Sequence, residues 1–115
     1  MAFYNRNFIE KIDKGDSYYI PDLLFDSDEY RMVRIEVKWA FVACLNVLID
    51  NPLYDETDHA YLKDCENQLI DTLKKLANKN VDEDKISGYL DELEDYGLIK
   101  INEGRIYLKK VEHIF

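Results

Sequence analysis

The stretch from Arg34 to Asp50 constrains this chain more than any other. Ile35, Trp39, Val42, Leu45 and Ile49 recur at the spacing of one helix face. The positions between them are also largely apolar: Val37, Phe41, Val47 and Leu48. A helix that is apolar on all sides must be covered on all sides. This helix is therefore expected to be central and contacted on several sides, and the length of 115 residues allows one domain with one core. The longest unbroken apolar run, Trp39–Leu45, is far too short to span a membrane, and Asn51-Pro52 ends the helix.

Other segments read more locally. Phe8 and Ile12 fit a short helical turn, Gly15-Asp16 punctuates the chain, and Ser17–Ile20 favours extended backbone before Pro21. Asp26–Glu29 reads as an acidic turn, Tyr54–Asp58 as a loop and Ala60–Leu62 as a short strand. Asp64 is a candidate N-cap for a helix to about Asn78, with Leu69, Ile70, Leu73 and Leu76 as its stripe. Asp82 is a candidate N-cap for a helix from Glu83 to Tyr96 that buries Ile86, Leu90 and Leu93 and stops at Gly97. Leu98–Ile101 and Arg105–Lys109 then alternate as strands around Asn102-Glu103-Gly104, a hairpin pattern. The tail Val111–Phe115 is apolar enough to dock. The expected fold is α+β, mainly α: a winged helix-turn-helix over 17–115 with a C-terminal β-hairpin wing, preceded by a short N-terminal extension, 1–16.

Charge and rare residues exclude several functions. The net charge is −9, which argues against non-specific binding to nucleic acid or anionic membranes. Cys44 and Cys65 have no metal-like spacing and are expected to be reduced and packed; His59 and His113 are isolated. No basic-plus-apolar leader opens the chain, so a cytoplasmic location is the default. Ser17, Ser27 and Ser87 sit in no nucleophile context, and no Gly-rich phosphate loop exists, so no catalytic residue and no cofactor is expected. Asp55, Glu56, Asp58 and His59 share one loop, too weak a pattern to assign a metal. Phe3, Tyr4, Phe8, Tyr18, Tyr19, Phe25 and Tyr30 concentrate near the N-terminus, either as core or as a homodimer interface.

The segment Val81–Ile99, VDEDKISGYLDELEDYGLI, resembles the turn and recognition helix of winged-helix proteins. A wider resemblance runs from Ser17 to Lys109. SYYIPDLLF at Ser17–Phe25, Tyr30, and the helix opening Glu36-Val37-Lys38 and closing Leu48-Ile49-Asp50 look like the start of RepA-type plasmid replication initiators of Gram-positive bacteria. That resemblance implies an N-terminal DNA-binding domain, often dimeric. DNA would then be met by Arg31, Arg34, Lys38, Lys85, Ser87, Arg105 and Lys109, with Lys100 and Lys110 adding to the wing's bases.

The charge conflicts with that implication. Val81–Tyr96 holds seven acids and one base, Lys85, a balance of −6. The groove-facing positions would be Glu83, Asp84, Ser87, Gly88 and Asp91. Asp82–Asp84 are stabilised by the helix dipole, whereas acids nearer the C-terminal end, Asp91–Asp95, are not. The acidic face reads as a solvated surface, as a protein-docking face, or as nucleic-acid charge mimicry. The favoured expectation is a mobile-element regulator or inhibitor, for example of the anti-CRISPR type, that meets a basic protein surface through Glu83, Asp84, Asp91, Glu92, Glu94 and Asp95. The alternative is an initiator-like domain binding duplex DNA. No membrane partner is expected.

Overall fold

Helix α3 (Ile35–Asp50) runs through the middle of the molecule, as its apolar periphery requires. From Val37 to Leu48 every residue is buried except Trp39, which is half-buried and packs on Phe25 at 5.2 Å. Each fully buried Leu or Val here contributes about 1.5–3 kcal/mol. The computed structural model describes residues 2–77 and 80–112. Around α3 stand α1 (Arg6–Lys11), α2 (Asp22–Asp26), a 3-10 turn (Asp28–Tyr30), β1 (Leu53–Tyr54), β2 (Ala60–Tyr61), α4 (Glu66–Ala77), α5 (Glu83–Asp95), β3 (Ile99–Asn102) and β4 (Arg105–Leu108). Helices α4 and α5 pack on α3, and β3–β4 follows as the wing. This is the expected winged helix-turn-helix. No helix among the described residues is long and apolar enough to cross a membrane.

The ends of α5 obey local rules. The Asp82 side chain accepts the Lys85 N–H at 2.8 Å, capping the first turn. At the other end Leu98 N–H bonds Leu93 C=O (2.9 Å) and Gly97 N–H bonds Glu94 C=O (3.0 Å), with Gly97 at φ 75°. That pairing is a Schellman stop, and the positive φ explains the glycine. Ile86 and Leu93 are buried as expected, while Leu90 is half-buried. The wing turn is two residues, Glu103 (φ 52°) and Gly104 (φ 78°), rather than three. Asn102 belongs to β3 and pairs with Arg105. Two positive φ values in a two-residue loop match the right-handed twist of a hairpin.

Four expectations need correcting. Asp64 does not cap α4: it is left-handed (φ 53°), and the Cys65 carbonyl accepts the first helical bond, from Leu69 N–H at 3.0 Å. The expected end of that helix at Asn78 lies outside the described residues. Tyr54–Asp58 is only partly loop, because Leu53–Tyr54 pairs antiparallel with Ala60–Tyr61. The stretch expected as one acidic turn, Asp26–Glu29, divides between the end of the helical turn α2 (Asp22–Asp26) and the 3-10 turn (Asp28–Tyr30). Ser17–Ile20 finds no strand partner; instead the buried Asn46 takes its place. Asn46 accepts the Tyr19 N–H (2.8 Å) and donates to Tyr19 C=O (2.9 Å) and to Val42 C=O (2.8 Å).

The segment expected as an N-terminal extension shares the core of 17–115. Tyr4 is fully buried. It donates its N–H to Leu108 C=O (3.1 Å) and accepts from Ala60 N–H (3.0 Å), so the segment wedges between β2 and β4. Further along, β2 and β4 close on each other directly through Leu62 and Ile106. The Tyr4 and Tyr19 hydroxyls both donate to Glu112, near the C-terminal end of the described chain. Most of the N-terminal aromatics are thereby spent inside the molecule: Tyr4 and Tyr30 are buried, and Phe3, Phe8, Tyr19 and Phe25 are half-buried. Of the seven, Tyr18 alone is exposed, which leaves little aromatic surface for the expected dimer interface. Of the expected docking tail, Val111 is buried in the core and Glu112 receives the two tyrosine hydroxyls, while 113–115 lie outside the described residues.

Removing the Asn46 amide should be felt throughout this arrangement. Asn46→Ala is expected to lower stability by about 2–3 kcal/mol, since it leaves buried backbone partners unpaired. Urea unfolding followed by circular dichroism measures it; a loss under about 0.5 kcal/mol would show that water replaces the amide.

Candidate nucleic-acid interface

Helix α5 buries Ile86 and Leu93 against the core and turns its opposite side to solvent. Glu83, Asp84, Lys85, Ser87, Gly88, Asp91, Glu94 and Asp95 are exposed there. Gly88 lies in mid-helix, and a Cβ built on it would meet no atom within 4 Å. Neither packing nor backbone conformation requires a glycine at this place. Its effect is to expose helix backbone on the side that a winged helix offers to its ligand.

The structure pairs residues that the sequence assigned to opposite functions. Arg34, expected on DNA, grips Glu92, expected on a protein. Its Nε donates to one carboxylate oxygen at 3.0 Å and its Nη2 to the other at 2.6 Å. Its Nη1 reaches Glu36 at 3.0 Å. The guanidinium holds the Glu92 carboxyl below its usual range, and the guanidinium itself is raised. This fork ties α5 to the start of α3, and the Tyr96 hydroxyl reinforces the seam by donating to Met32 C=O at 3.2 Å. Glu94 faces the wing, where a carboxylate oxygen accepts the Ile101 N–H at 3.1 Å. Glu92 and Glu94 therefore have structural partners that sequence spacing did not reveal.

The basic candidates divide in the same way. Lys38 is 8% exposed with its ammonium 5.7 Å from the Phe25 ring, so it is not offered to a partner. Lys109 meets Glu29 at 3.2 Å and lies 5.1 Å from the Tyr30 ring. Arg105 lies 4.5 Å over Tyr61 on the wing and stays accessible along one side. Arg31, Lys85 and Ser87 are exposed, and neither base makes an ion pair among the described residues. Glu83, Asp84, Asp91 and Asp95 are likewise exposed without an ion pair among those residues.

At the β1–β2 turn the sequence showed a loop shared by Asp55, Glu56, Asp58 and His59 but not the hydrogen-bonded cluster that Asp55 builds there. One Asp55 oxygen accepts from Thr57 N–H (2.9 Å), Thr57 Oγ1 (2.8 Å) and His59 N–H (3.0 Å). The other accepts the Tyr107 hydroxyl of β4 at 3.1 Å. Loss of solvent opposes ionisation of Asp55, but these hydrogen bonds outweigh it and hold the carboxyl at about 2. The usable signal was an Asp two residues before a Thr, the pattern of an Asx turn.

No family model and no curated protein matches this chain. Solved structures do. The N-terminal domain of a DNA-binding protein superposes with a TM-score of 0.59 at 20% identity, covering 100% of this chain and 86% of that one. An MDR initiator gives 0.60 at 21%, with 100% and 89% covered. A Rep protein solved in complex with DNA gives 0.57 at 22%, with 100% and 87% covered. The chain shares its fold with these proteins. The initiator resemblance read from the sequence thus meets initiator and Rep structures over the full length of the chain.

Two measurements test this geometry. Gly88→Ala should raise stability by about 0.8–1 kcal/mol in urea unfolding, the usual helix-interior difference; a loss instead would mean that the glycine has a packing role. Asp55 titrates near 3.9 when unfolded and at about 2 when folded. Its stabilisation is complete above about pH 5 and drains away as pH falls towards 2. Between pH 5 and pH 2 the wild type should therefore lose more thermal stability than Asp55→Asn. Parallel melting curves would refute the assignment.

Proposed function

We propose that this chain is a non-enzymatic DNA-binding domain of the replication-initiator type. The observation that carries the reading is the full-length likeness to a DNA-binding protein's N-terminal domain and to a Rep protein solved on DNA. The local geometry supports it. The exposed side of α5 offers Lys85, Ser87 and the bare backbone of Gly88 to a major groove. Arg31 and the wing's Arg105 stand ready for phosphates. Arg34 pairs with Glu92 of α5, Lys109 just past the wing pairs with Glu29, and Lys38 is buried over Phe25 of α2, so these three are less available to DNA than the sequence implies.

The acidity of α5 weighs less against DNA than its bare count implies. Asp82 caps the helix, Glu92 is neutralised by Arg34, and Glu94 holds the wing. The competing reading, docking on a basic protein surface, rests on the four exposed acids Glu83, Asp84, Asp91 and Asp95. The comparisons favour DNA over a protein inhibitor.

A gel-shift series with duplexes tiling the DNA around the chain's own gene, at about 50 mM salt, decides between them. Specific retardation is expected, weakened about tenfold or more by Lys85→Glu and by Arg31→Glu. Binding that survives both changes, or no retardation of any duplex at that salt, defeats the DNA reading.

A further inference from the structure

The outer face of the sheet carries chemistry that the helix-turn-helix leaves unused. Strand β4 turns Ile106 and Leu108 towards the core, so Arg105 and Tyr107 lie on the other face. Across the ladder, Lys100 stands opposite Tyr107 and Asn102 opposite Arg105. The wedged N-terminal segment brings Phe3 to this face, and β2 brings Tyr61. The rings form a row: Phe3 to Tyr107 at 5.7 Å and Tyr107 to Tyr61 at 5.7 Å, each pair tilted by 48°. His59 stands edge-on to Phe3 at 6.2 Å. The Arg105 guanidinium, 4.5 Å over Tyr61, extends the row. All of these rings are half-buried, so each keeps an accessible side. A cleft of about 210 Å³ opens among Phe3, Asp55, His59, Lys100, Asn102 and Tyr107.

We infer that this face is a second site, one that binds unpaired nucleotides. The cleft is smaller than pockets that enclose drug-sized ligands and suits a single planar base. Its walls are rings, which stack on any base whose face is free. A paired base in a duplex has no free face, so the occupant is a single strand. Asn102, exposed at the rim, offers both a donor and an acceptor to a base edge. Among the described residues Asp55 is the only carboxylate lining the cleft, and four hydrogen bonds already occupy it, one of which fixes Tyr107. Lys100, exposed on the same rim, is placed for the phosphate, and Arg105 on Tyr61 supplies the next stacking plane. Glu56 lies near Arg105 and Glu103 sits at the hairpin tip. Stacking rather than net charge therefore carries this binding, and its salt dependence is shallower than that of a purely electrostatic groove.

The site can be tested apart from the duplex reading, because Phe3 and Tyr107 are given no duplex contact, while Arg105 and Lys100 of the wing are shared with it. Fluorescence anisotropy with labelled 12-nucleotide oligo-dT and oligo-U, beside a blunt duplex of equal length, tests it on the full chain. Binding of at least one single strand is expected; the two oligomers together show whether the sugar matters. Tyr107→Leu keeps the apolar body but removes the ring, and Lys100→Glu alters only an exposed position. Each should weaken single-strand binding by about tenfold with circular dichroism preserved, and Tyr107→Leu, at a position given no duplex contact, should leave duplex binding unchanged. Lys85→Glu should do the reverse. No binding of either oligomer by the wild type, or unchanged binding by both variants, overturns the inference.

Discussion

Burial of α3 on every side is the constraint from which the rest follows. A helix without a polar face cannot lie at an edge, so the chain must supply cover in each direction. Helices α4 and α5 cover one side, and α1, α2 and the N-terminal segment pack with the sheet around the rest of the core. The polar groups on α3 are handled individually. Asn46 completes the hydrogen bonds of Tyr19, and Lys38 extends over Phe25. Since α5 rests on α3 and is locked to its first turn by Arg34, the presented helix inherits its orientation from the buried one. The Arg34–Glu92 fork is half exposed and screened, so it adds little stability. Its geometric role is to fix the angle of α5.

What could be read from the sequence was what short-range rules determine. Apolar period located α3 and α5 to within a residue or two, and Asp82, Gly97 and Glu103-Gly104 marked ends and turns because capping and left-handed backbone depend on neighbours only. The misses are long-range. Phe3–Asn5 looked like an extension because its partners, His59 and Lys109, lie far away in sequence. The extended Ser17–Ile20 has its partner in a side chain on α3, which no strand pattern reveals. Asp64 has the right residue type for a cap, but the chain uses its tolerance of the left-handed region instead.

The exposed face of α5 was legible as a place and less so as a set of available charges. Spacing along α5 correctly separates Ile86 and Leu93 from Ser87, Gly88 and Asp91. It cannot show that Glu92 meets a residue 58 positions earlier, or that Glu94 takes a strand's N–H. Charge assigned by position alone therefore overstates how much is available to a partner, on the acidic side and the basic side alike. The sheet's outer face was hidden for a related reason: its rings come from the N-terminal segment, β2 and β4, and only pairing brings them together.

Placement also changes what the charge of α5 means. Of its acids, Asp82 satisfies a backbone donor, Glu83 and Asp84 sit where the helix dipole favours them, and Glu92 and Glu94 are held by Arg34 and Ile101. Asp91 and Asp95 alone lack such a cause. A carboxylate facing a major groove can accept only from exocyclic amines, with the N4 amine of cytosine the best fit, while guanine and thymine oxygens repel it. Such a helix selects among bases by what it refuses and gains nothing from phosphates. On the DNA reading proposed above, backbone affinity would come from groups off that face, such as Arg31 and Arg105. On the same reading, a protein with a net charge of −9 depends on cations that lie off the acidic helix and make no ion pair among the described residues, and Arg31 and Arg105 are two of them.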